Sequence, residues 1–324
     1  MPDNLRAAVI GASGIGKHHA KWLQALGCEV SFAGTSQEKV DATTKALQDL
    51  FGFTGRGYVG VEALLDGARP DLVVVASPAP VHCPHFMAAL DRGCDILCEK
   101  PLVWDETRPV PDLLAEAARM VQAADERGIT SAVNTQYVTA VDPYFDLCEQ
   151  AGQPMDRAGF SRFYMRMDSR GGRSGASGEK IWIDLAPHPL SVLVAFAGPG
   201  RVKPGTERCQ VQDSRVDANF TYVRDAGGEV EATIETVNVP DGPLSRCFGI
   251  DGVVVQYEGR NDEAGVYAAY LKLGDAELKA TDFMQASISR FVEAVRGNAG
   301  PAASLRSGLT NLELQLGLLE VSRK

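Results

Sequence analysis

The first 134 residues alternate short apolar runs with longer amphipathic stretches. The apolar runs, most of them without polar alternation, cover residues 5–10, 28–33, 72–76, 95–98 and 130–133. Apolar residues at helical spacing lie between these runs, in residues 15–25, 37–50, 81–92 and 112–126. Unbroken Val, Ile and Leu runs are typical of parallel strands that helices cover on both faces. The pattern predicts an α/β fold that begins with a doubly wound parallel sheet over residues 1–134.

From residue 135 onward the strands alternate. In residues 229–235, Val230, Ala232 and Ile234 share one face and polar side chains occupy the other, which indicates a sheet buried on one side. Turn signals at residues 226–228, 251–252 and 274–275 predict hairpins. Helical spacing returns in residues 282–295 and 308–321. We predict a second, α+β domain over residues 135–324, with an open and mainly antiparallel sheet.

The charge balance excludes two classes of partner. The chain has 42 acidic and 32 basic residues and a formal net charge of −10, so it lacks the positive surface that binds nucleic acid or anionic lipid. It shows no export signal and no window of about 18 consecutive apolar residues. Its seven cysteines include no C-x-x-C pair and no zinc-ligand spacing. We expect a cytoplasmic protein with reduced thiols, no metal site, no membrane contact and no nucleic acid.

A glycine-rich turn joins the first predicted strand to the first helix. Gly11 permits a tight turn, and Gly16 lets the helix pack closely on the strand. The helix N-terminus then offers free N–H groups to a pyrophosphate, so Gly11, Ser13, Gly14, Ile15 and Gly16 are predicted to bind a dinucleotide. The match to G-x-G-x-x-G is imperfect, because Ser13 replaces the second glycine and Gly14 is additional. A ligand-free glycine turn is the alternative, which the position at the first strand of a doubly wound domain disfavours.

The end of the second strand bears on the choice of cofactor. Dinucleotide folds often place an acid there for the adenosine ribose, but this chain has Gly34-Thr35-Ser36. A carboxylate would repel a 2′-phosphate, whereas Thr35 and Ser36 can donate hydrogen bonds to it, so NADP is favoured over NAD. Lys39 either adds charge to this site or is an ordinary exposed lysine. No arginine decides the question, and both cofactors stay open.

The tripeptide Glu99-Lys100-Pro101 follows the strand at 95–98, at the edge of the sheet where α/β folds bind ligands. With four other motifs it resembles the Gfo/Idh/MocA family, the NAD(P)-dependent sugar oxidoreductases related to glucose-fructose oxidoreductase and inositol dehydrogenase. The other motifs are the glycine turn, Ser77-Pro78 with His82, Asn134 with Gln136-Tyr137, and Asp184 to His188. The resemblance implies that Lys100 lies beside the nicotinamide and the substrate hydroxyl, and that the Lys100–Pro101 bond is cis.

The resemblance also implies contacts to the cofactor and properties of the whole protein. The positions it assigns to the cofactor are Ser77, Pro78, His82, Glu99, Lys100 and Gln136. For His82 a purely structural role is an equal alternative. The implied substrate is a sugar or cyclic polyol bound by the second domain, and the implied assembly is a homodimer or homotetramer formed through the second sheet.

Asp184 and His188 are four residues apart, so in a helix they share one face. A carboxylate beside an imidazole fixes its tautomer and raises its pKa, which suits proton exchange with an alcohol. Pro187 is expected in a first helical turn. The alternative is a capping aspartate with a buried histidine; the resemblance favours catalysis, because the family has catalytic Asp and His at this spacing. Two departures, Gly178-Glu179-Lys180 for a glycine run and Ser191 for a frequent acid, concern the substrate.

The remaining polar candidates are interpreted as structural. His18 and His19 are expected to be surface or packing residues, and His85 is expected on the exposed side of a helix. A basic stretch before Asp184 is interpreted as a solvated strand and loop, with contact to an acidic substrate as the alternative. It consists of Arg162, Arg166, Arg170 and Arg173.

These positions together predict an oxidoreductase that transfers hydride between a nicotinamide and a hydroxyl or keto carbon. In this hypothesis His188 is the general acid and base, Asp184 orients it, and Lys100 stabilises the alkoxide or relays the proton. An enzyme that keeps its cofactor bound and uses transient oxidation for elimination or glycoside cleavage is an alternative. A non-catalytic dinucleotide-binding regulator is another, and the three catalytic side chains argue against it.

Overall fold

The structure, a computed structural model, describes residues 4–170 and 178–323 and divides the chain into two compact units. The first unit holds Met1–Asn134 and Ser287–Leu309, and the second holds Thr135–Ala286 and Thr310–Lys324. The boundary between the units after Asn134 falls where the hydrophobic pattern of the sequence changes. A single division into 1–134 and 135–324 is incomplete, because a tail segment joins the first unit, where the Val133 N–H donates to the Ala303 carbonyl over 3.1 Å.

Six parallel strands form the sheet of the first unit. They are β1 (Arg6–Ile10), β2 (Glu29–Gly34), β3 (Arg56–Val59), β4 (Leu72–Val75), β5 (Asp95–Glu99) and β6 (Ser131–Asn134). Their order, β3-β2-β1-β4-β5-β6, is that of a doubly wound dinucleotide fold, which confirms the predicted parallel sheet. The strand order reverses between β1 and β4, the point at which such folds bind ligands beyond the carboxyl ends of the strands.

Five helices follow the first five strands. They are α1 (Gly16–Ala25), α2 (Gln37–Phe51), α3 (Val61–Ala68), α4 (His82–Leu90) and α5 (Val110–Arg127). The helical spacing of apolar residues predicted four of these helices, but it predicted neither α3 nor the strand β3. The reason is local: β3 is a four-residue edge strand with the sequence Arg-Gly-Tyr-Val, so it has no apolar run to reveal it.

The second unit contains a nine-stranded sheet. Its strands are β7 (Arg162–Ser169), β8 (Gly200–Val202), β9 (Arg208–Val211), β10 (Arg215–Arg224), β11 (Glu229–Asn238), β12 (Arg246–Ile250), β13 (Val253–Asn261), β14 (Tyr267–Leu273) and β15 (Ala276–Thr281). The order is β15-β14-β13-β12-β7-β11-β10-β8, with β9 also on β10. In the described part of this sheet only β7 and β11 pair in parallel, which confirms the mainly antiparallel prediction. Val230, Ala232 and Ile234 are buried, as their alternation predicts.

Helices α6 (Val141–Gln150), α7 (Gly178–Leu185) and α8 (Pro187–Ala197) belong to the second unit, and α9 (Phe283–Val295) and α10 (Leu305–Ser322) complete the chain. The fully buried Trp182 of α7 donates its indole N–H to the Gln315 carbonyl of α10 over 2.9 Å. The Gln315 amide donates back to the carbonyls of Trp182 and Ile183 over 3.2 and 2.9 Å. These bonds fix the last turn of α7, from which Asp184 projects. Throughout the described ranges, every helix is too short or too polar to cross a membrane.

Candidate functional site

The glycine turn after β1 leaves no space for larger residues at two of its positions. Gly11 has φ +98°, and a Cβ built on it would lie 2.5 Å from the Ala76 carbonyl oxygen. A Cβ on Gly16 would lie 2.4 Å from the Gly11 carbonyl oxygen. The N-cap residue Ile15 provides no side-chain acceptor for the first-turn amides of α1. The turn is therefore shaped by its glycines. The Lys17 and His18 amides already donate to the Gly14 and Ile15 carbonyls over 3.3 and 2.9 Å, so an anion at this end of α1 would meet the amides of the glycine turn itself.

A cleft of about 700 Å³ opens at the carboxyl ends of β1, β2 and β4, entirely within the first unit. Five predicted cofactor residues line it: Gly11, Ser13, Thr35, Ser77 and Pro78. The sequence missed other lining residues on the neighbouring elements, namely Ala42, Thr43, Gly60 and Val61. Among the described residues that line the cleft, none is acidic. An uncharged glycine turn at a helix N-terminus, in a cleft of this volume, fits a dinucleotide.

The wall beside β2 carries hydroxyl groups and one lysine. Thr35 is exposed and lines the cleft, and so does Lys39 in the first turn of α2. Ser36 is the N-cap of α2, where its Oγ accepts the Lys39 N–H over 3.3 Å. Its hydroxyl hydrogen can still be donated outward, since capping uses only the acceptor side.

His85 corrects one expectation. It was expected on the exposed side of a helix, but it is half-buried, it lines the cleft, and its Nδ1 lies 2.9 Å from Ser77 Oγ. Burial lowers the pKa of the His85 imidazole, and the neighbouring His82 lowers it further. The spacing could have indicated this placement, because residues three apart in the first turn of a helix share a face.

Lys100 follows directly after β5, and the Lys100–Pro101 bond is cis, as the resemblance implies. The Lys100 backbone N–H donates to Glu99 Oε2 over 3.2 Å. The other carboxylate oxygen of Glu99, Oε1, accepts two bonds of 2.7 Å, from Asn134 Nδ2 and from His19 Nε2. Asn134 Oδ1 in turn accepts the Ser287 hydroxyl over 2.8 Å. Glu99 and Asn134 are register partners at the ends of β5 and β6, which explains why their side chains meet.

This network is buried, and it corrects the expectation for His19. His19 has no exposed surface and Glu99 is 6% exposed, so His19 is a member of a polar interior cluster rather than a surface or simple packing residue. Burial alone raises the pKa of Glu99, but the bond and charge of His19 and the bond from Asn134 outweigh it and lower the pKa to about 2. Glu99 is therefore ionised at neutral pH. Both of its oxygens are engaged with the protein.

His82 lies behind the cleft rather than in its wall. Its ring is buried, with Nε2 2.7 Å from the Ser77 carbonyl oxygen and Nδ1 3.1 and 3.3 Å from those of Pro101 and Leu102. Burial lowers the pKa of His82, although the three carbonyl groups and the charge on Glu99 oppose this. The ring thus lies between two backbone segments, and in its neutral form it donates its one N–H to one of them.

In the second unit, Asp184 and His188 lie on either side of the junction between α7 and α8. The chain stays helical there, because the Ala186 N–H donates to Trp182 over 2.9 Å and the Leu190 N–H donates to Ala186 over 3.1 Å. Pro187 is at the first position of α8, as predicted. Asp184 is exposed, and His188 is 8% exposed.

Aromatic side chains surround His188. The Tyr137 ring packs edge-on against the imidazole with centroids 4.8 Å apart, and Tyr257 packs edge-on against Tyr137 at 5.6 Å. Tyr137 follows Gln136 in a short 3-10 helix after β6. Burial raises the pKa of Tyr137, so its hydroxyl stays protonated at neutral pH. The sequence singled out Tyr137 as part of a motif but not as a neighbour of His188.

The basic stretch of β7 makes ion pairs within the protein. Arg166 Nε lies 2.9 Å from the buried carboxylate of Asp168, which supports a strand surface rather than a substrate site. Arg162 and Arg170 are exposed, and Arg173 lies outside the described residues. No group of three or more His, Cys, Asp or Glu side chains suited to a metal ion occurs in residues 4–170 and 178–323.

Comparison with known proteins assigns the first part of the chain to a family. Residues 5–135 match the model of an oxidoreductase family with an NAD-binding Rossmann fold. Inositol 2-dehydrogenase of Streptomyces avermitilis is 29% identical over 138 residues, which is 43% of this chain and 39% of that protein. The match thus spans less than half the length of that curated relative.

Solved structures match over nearly the whole chain. UDP-N-acetylglucosamine 3-dehydrogenase of Acidithiobacillus ferrooxidans is 20% identical with a TM-score of 0.73, covering 98% of this chain and 97% of that one. The WlbA dehydrogenase of Bordetella pertussis, solved with NADH and UDP-GlcNAcA, is 16% identical with a TM-score of 0.69, covering 99% and 97%. At these identities the similarity establishes a shared fold.

Proposed function

We propose that this chain, whose residues 5–135 match the model of the Gfo/Idh/MocA oxidoreductase family, is an NAD(P)-dependent dehydrogenase that acts on a CH–OH group of a sugar or cyclic polyol. The observation that carries the proposal is that the glycine-lined cleft and Lys100 both lie at the carboxyl ends of the parallel strands in the first unit. A lysine at that edge can stabilise the oxyanion of a substrate held beside a dinucleotide.

The cofactor is proposed to lie in the cleft at the ends of β1, β2 and β4. Backbone amides of Gly11 to Gly16 would hold the pyrophosphate, and Ser77 and Pro78 would line the path toward Lys100. Thr35, Ser36 and Lys39 would hold a 2′-phosphate, so we favour NADP over NAD. The nicotinamide supplies the hydride chemistry.

The proton chemistry is assigned to one group in each unit. Lys100 stabilises the substrate alkoxide in the first unit. His188 accepts or returns the hydroxyl proton in the second, and Asp184, four residues earlier on the same helical face, orients and charges its imidazole. Glu99, His82 and Gln136, assigned to the cofactor by resemblance, lie outside the cleft wall; Glu99 and His82 are proposed to act through the segment that carries Lys100.

Cofactor titrations test the proposal first. We expect NADPH fluorescence to report binding with a Kd about fivefold lower than that of NADH, because one added charged contact is worth about 1 kcal/mol. A panel of inositols, glucosides and nucleotide sugars, followed by NADPH absorbance, then identifies the substrate. Turnover of a panel sugar without net NADPH formation would instead favour the alternative of a retained cofactor.

The Lys100→Ala variant tests the site. Its kcat is expected to fall about 100- to 10,000-fold while the NADPH Kd changes less than about threefold. Lys45→Ala is the matched control, because Lys45 is exposed on α2, where it pairs with Asp49. Turnover of Lys100→Ala at the wild-type rate would refute the assignment.

Assembly through the second-unit sheet is part of the proposal. Positions facing away from the helices carry arginine–carboxylate pairs, including Arg166 with Asp168 at 2.9 Å and Arg215 with Asp217 at 2.7 Å. Such a flat, charge-paired surface suits a second copy of the chain. Light scattering is expected to give two or four times the chain mass of 34.7 kDa, and a monomer would contradict this.

A further inference from the structure

Two buried histidines contact the residues on either side of Lys100: His19 contacts Glu99, and His82 contacts the carbonyl of Pro101. We propose that His19 and His82 are positioning residues, which tie the two loops of the dinucleotide cleft to the backbone immediately before and after Lys100. The inference rests on the proposed function, because it concerns how Lys100 is held for that chemistry. Neither histidine was predicted to have this role.

The first tether, our name for the link that His19 makes to Glu99, begins at the glycine turn. His19 lies in the first turn of α1, directly after that turn, and its Nε2 lies 2.7 Å from Glu99 Oε1. An ionised carboxylate can only accept hydrogen bonds, so Nε2 carries the hydrogen and donates it. With Oε1 held by His19, the carboxylate keeps Oε2 at the Lys100 N–H, 3.2 Å away. The position of α1 thereby fixes the amide of Lys100.

The second tether begins at the loop after β4. Ser77 and Pro78 line the cleft, and the Ser77 carbonyl lies 2.7 Å from His82 Nε2. The opposite ring nitrogen of His82 faces the carbonyl of Pro101, 3.1 Å away. The ring thus lies between the cofactor loop and the residue after Lys100; in its neutral form it donates its one N–H to one of these carbonyls and packs against the other.

The two tethers share a feature that simple packing would not produce. They start from separate loops of one cleft. One ends on Glu99 and the other on the carbonyls of Pro101 and Leu102, so that Lys100 lies between their attachment points. A ligand that orders both loops favours the conformations in which both tethers are short. Binding of a dinucleotide is therefore communicated to the backbone of Lys100 before any substrate arrives.

Hydrogen exchange measured by mass spectrometry tests the first tether without turnover. In cofactor-free wild type, the peptide covering residues 95–104 is expected to exchange slowly, and more slowly with saturating NADPH. His19→Leu is expected to exchange about tenfold faster there and to lose the NADPH effect, because the Glu99 carboxylate is no longer fixed. His19→Gln, which restores an N–H donor, should recover most of the protection. Lys45→Leu, an exposed change on α2, is the control and should behave as wild type.

Kinetics test the positioning role once a substrate is known. His19→Leu and His82→Leu are expected to lower kcat about tenfold or more, with KM and the NADPH Kd within about threefold of wild type. Glutamine at either position should restore much of kcat. If either leucine variant does not fold, Ser287→Ala, which removes only the hydroxyl on Asn134, gives a milder test: about twofold faster exchange at residues 95–104.

Two results would overturn the inference. One is unchanged exchange at residues 95–104 in both His19→Leu and Ser287→Ala. The other is a leucine variant that exchanges faster yet keeps the wild-type kcat. Failure of the proposed function looks different, because wild type would then bind no dinucleotide or oxidise no sugar, while the exchange difference between cofactor-free wild type and His19→Leu would persist.

Discussion

Lys100 and His188, the two proton-handling groups proposed for the separate units, are held by different kinds of contact. The Lys100 backbone is held by hydrogen bonds, since Glu99 accepts its N–H and is itself fixed by buried donors. Around His188 the contact is aromatic packing, because the Tyr137 ring lies edge-on against the imidazole with centroids 4.8 Å apart. A hydrogen bond constrains direction as well as distance, whereas ring packing accepts substitutes of similar volume.

This difference predicts which amino-acid substitutions each region tolerates. A buried polar network stabilises only when every member is present, because losing one member leaves the others without partners in a medium that cannot replace them. Aromatic packing such as that of Tyr137 on His188 loses contact area in proportion to the part of the ring that a substitution removes, and the stabilisation falls with it. Substitutions around Lys100 should therefore have large effects even when they preserve shape, and those around His188 should be graded.

The largest effect is expected from Glu99→Leu, which keeps the approximate volume and removes the acceptor. His19, Asn134 and the Lys100 amide would each lose a buried partner, so the free energy of unfolding is expected to fall by about 3–5 kcal/mol. Urea unfolding followed by circular dichroism measures it. Glu258→Gln, an exposed change on β13, is the control. A loss below about 1 kcal/mol would mean that the network contributes little to stability.

Acid should weaken the same network, and the sign follows from the pKa of Glu99. That pKa is lowered from 4.5 to about 2, so its stabilisation is fully present above pH 4.5 and disappears as the pH falls toward 2. Glu99→Gln cannot titrate. We expect the stability difference between wild type and this variant to be about 2–3 kcal/mol at pH 7 and to shrink below pH 4.5. A difference that is constant from pH 7 to pH 3 would contradict this assignment.

The glycine turn is a third case, in which backbone shape is the constraint. Gly11→Ala would place a Cβ 2.5 Å from the Ala76 carbonyl oxygen at φ +98°, so the turn must shift. NADPH binding is expected to weaken about 30-fold, or about 2 kcal/mol. Gly300→Ala, where a Cβ meets nothing within 4 Å, is the control in the same unit. Fluorescence titration would show equal Kd values for both variants if the turn did not contact the cofactor.

Around His188 the effects should be smaller and graded. Tyr137→Phe keeps the ring and is expected to change kcat/KM less than about threefold, whereas Tyr137→Leu removes the edge-on contact and should lower kcat/KM about tenfold. Steady-state kinetics with the panel substrate measures both. Equal losses in the two variants would show that the hydroxyl of Tyr137, rather than its ring, supports His188.

The sequence predicts what depends on neighbours along the chain. Gly11 and Gly16 stand out because the strand–turn–helix order is local, and the parallel sheet stands out because its strands are apolar throughout. His19 does not, because its partner Glu99 is 80 residues away and a buried polar pair leaves no periodic signal. His85 was misjudged for a related reason, since its exposure depends on the loop at Ser77. Pairings across the fold require the structure.

The smallest effect is expected at the edge of the cleft, where we propose that one exposed lysine favours NADP over NAD. Lys39 lines the cleft from the first turn of α2, close to Thr35 and the capping Ser36. Lys39→Ala should weaken NADPH about three- to fivefold, because an exposed ion pair is worth less than about 1 kcal/mol, and should leave NADH unchanged. The NADPH effect should shrink in 0.5 M salt, because screening weakens exposed pairs. Equal weakening of both cofactors would place Lys39 at a phosphate that they share, and NADP would then lose this support.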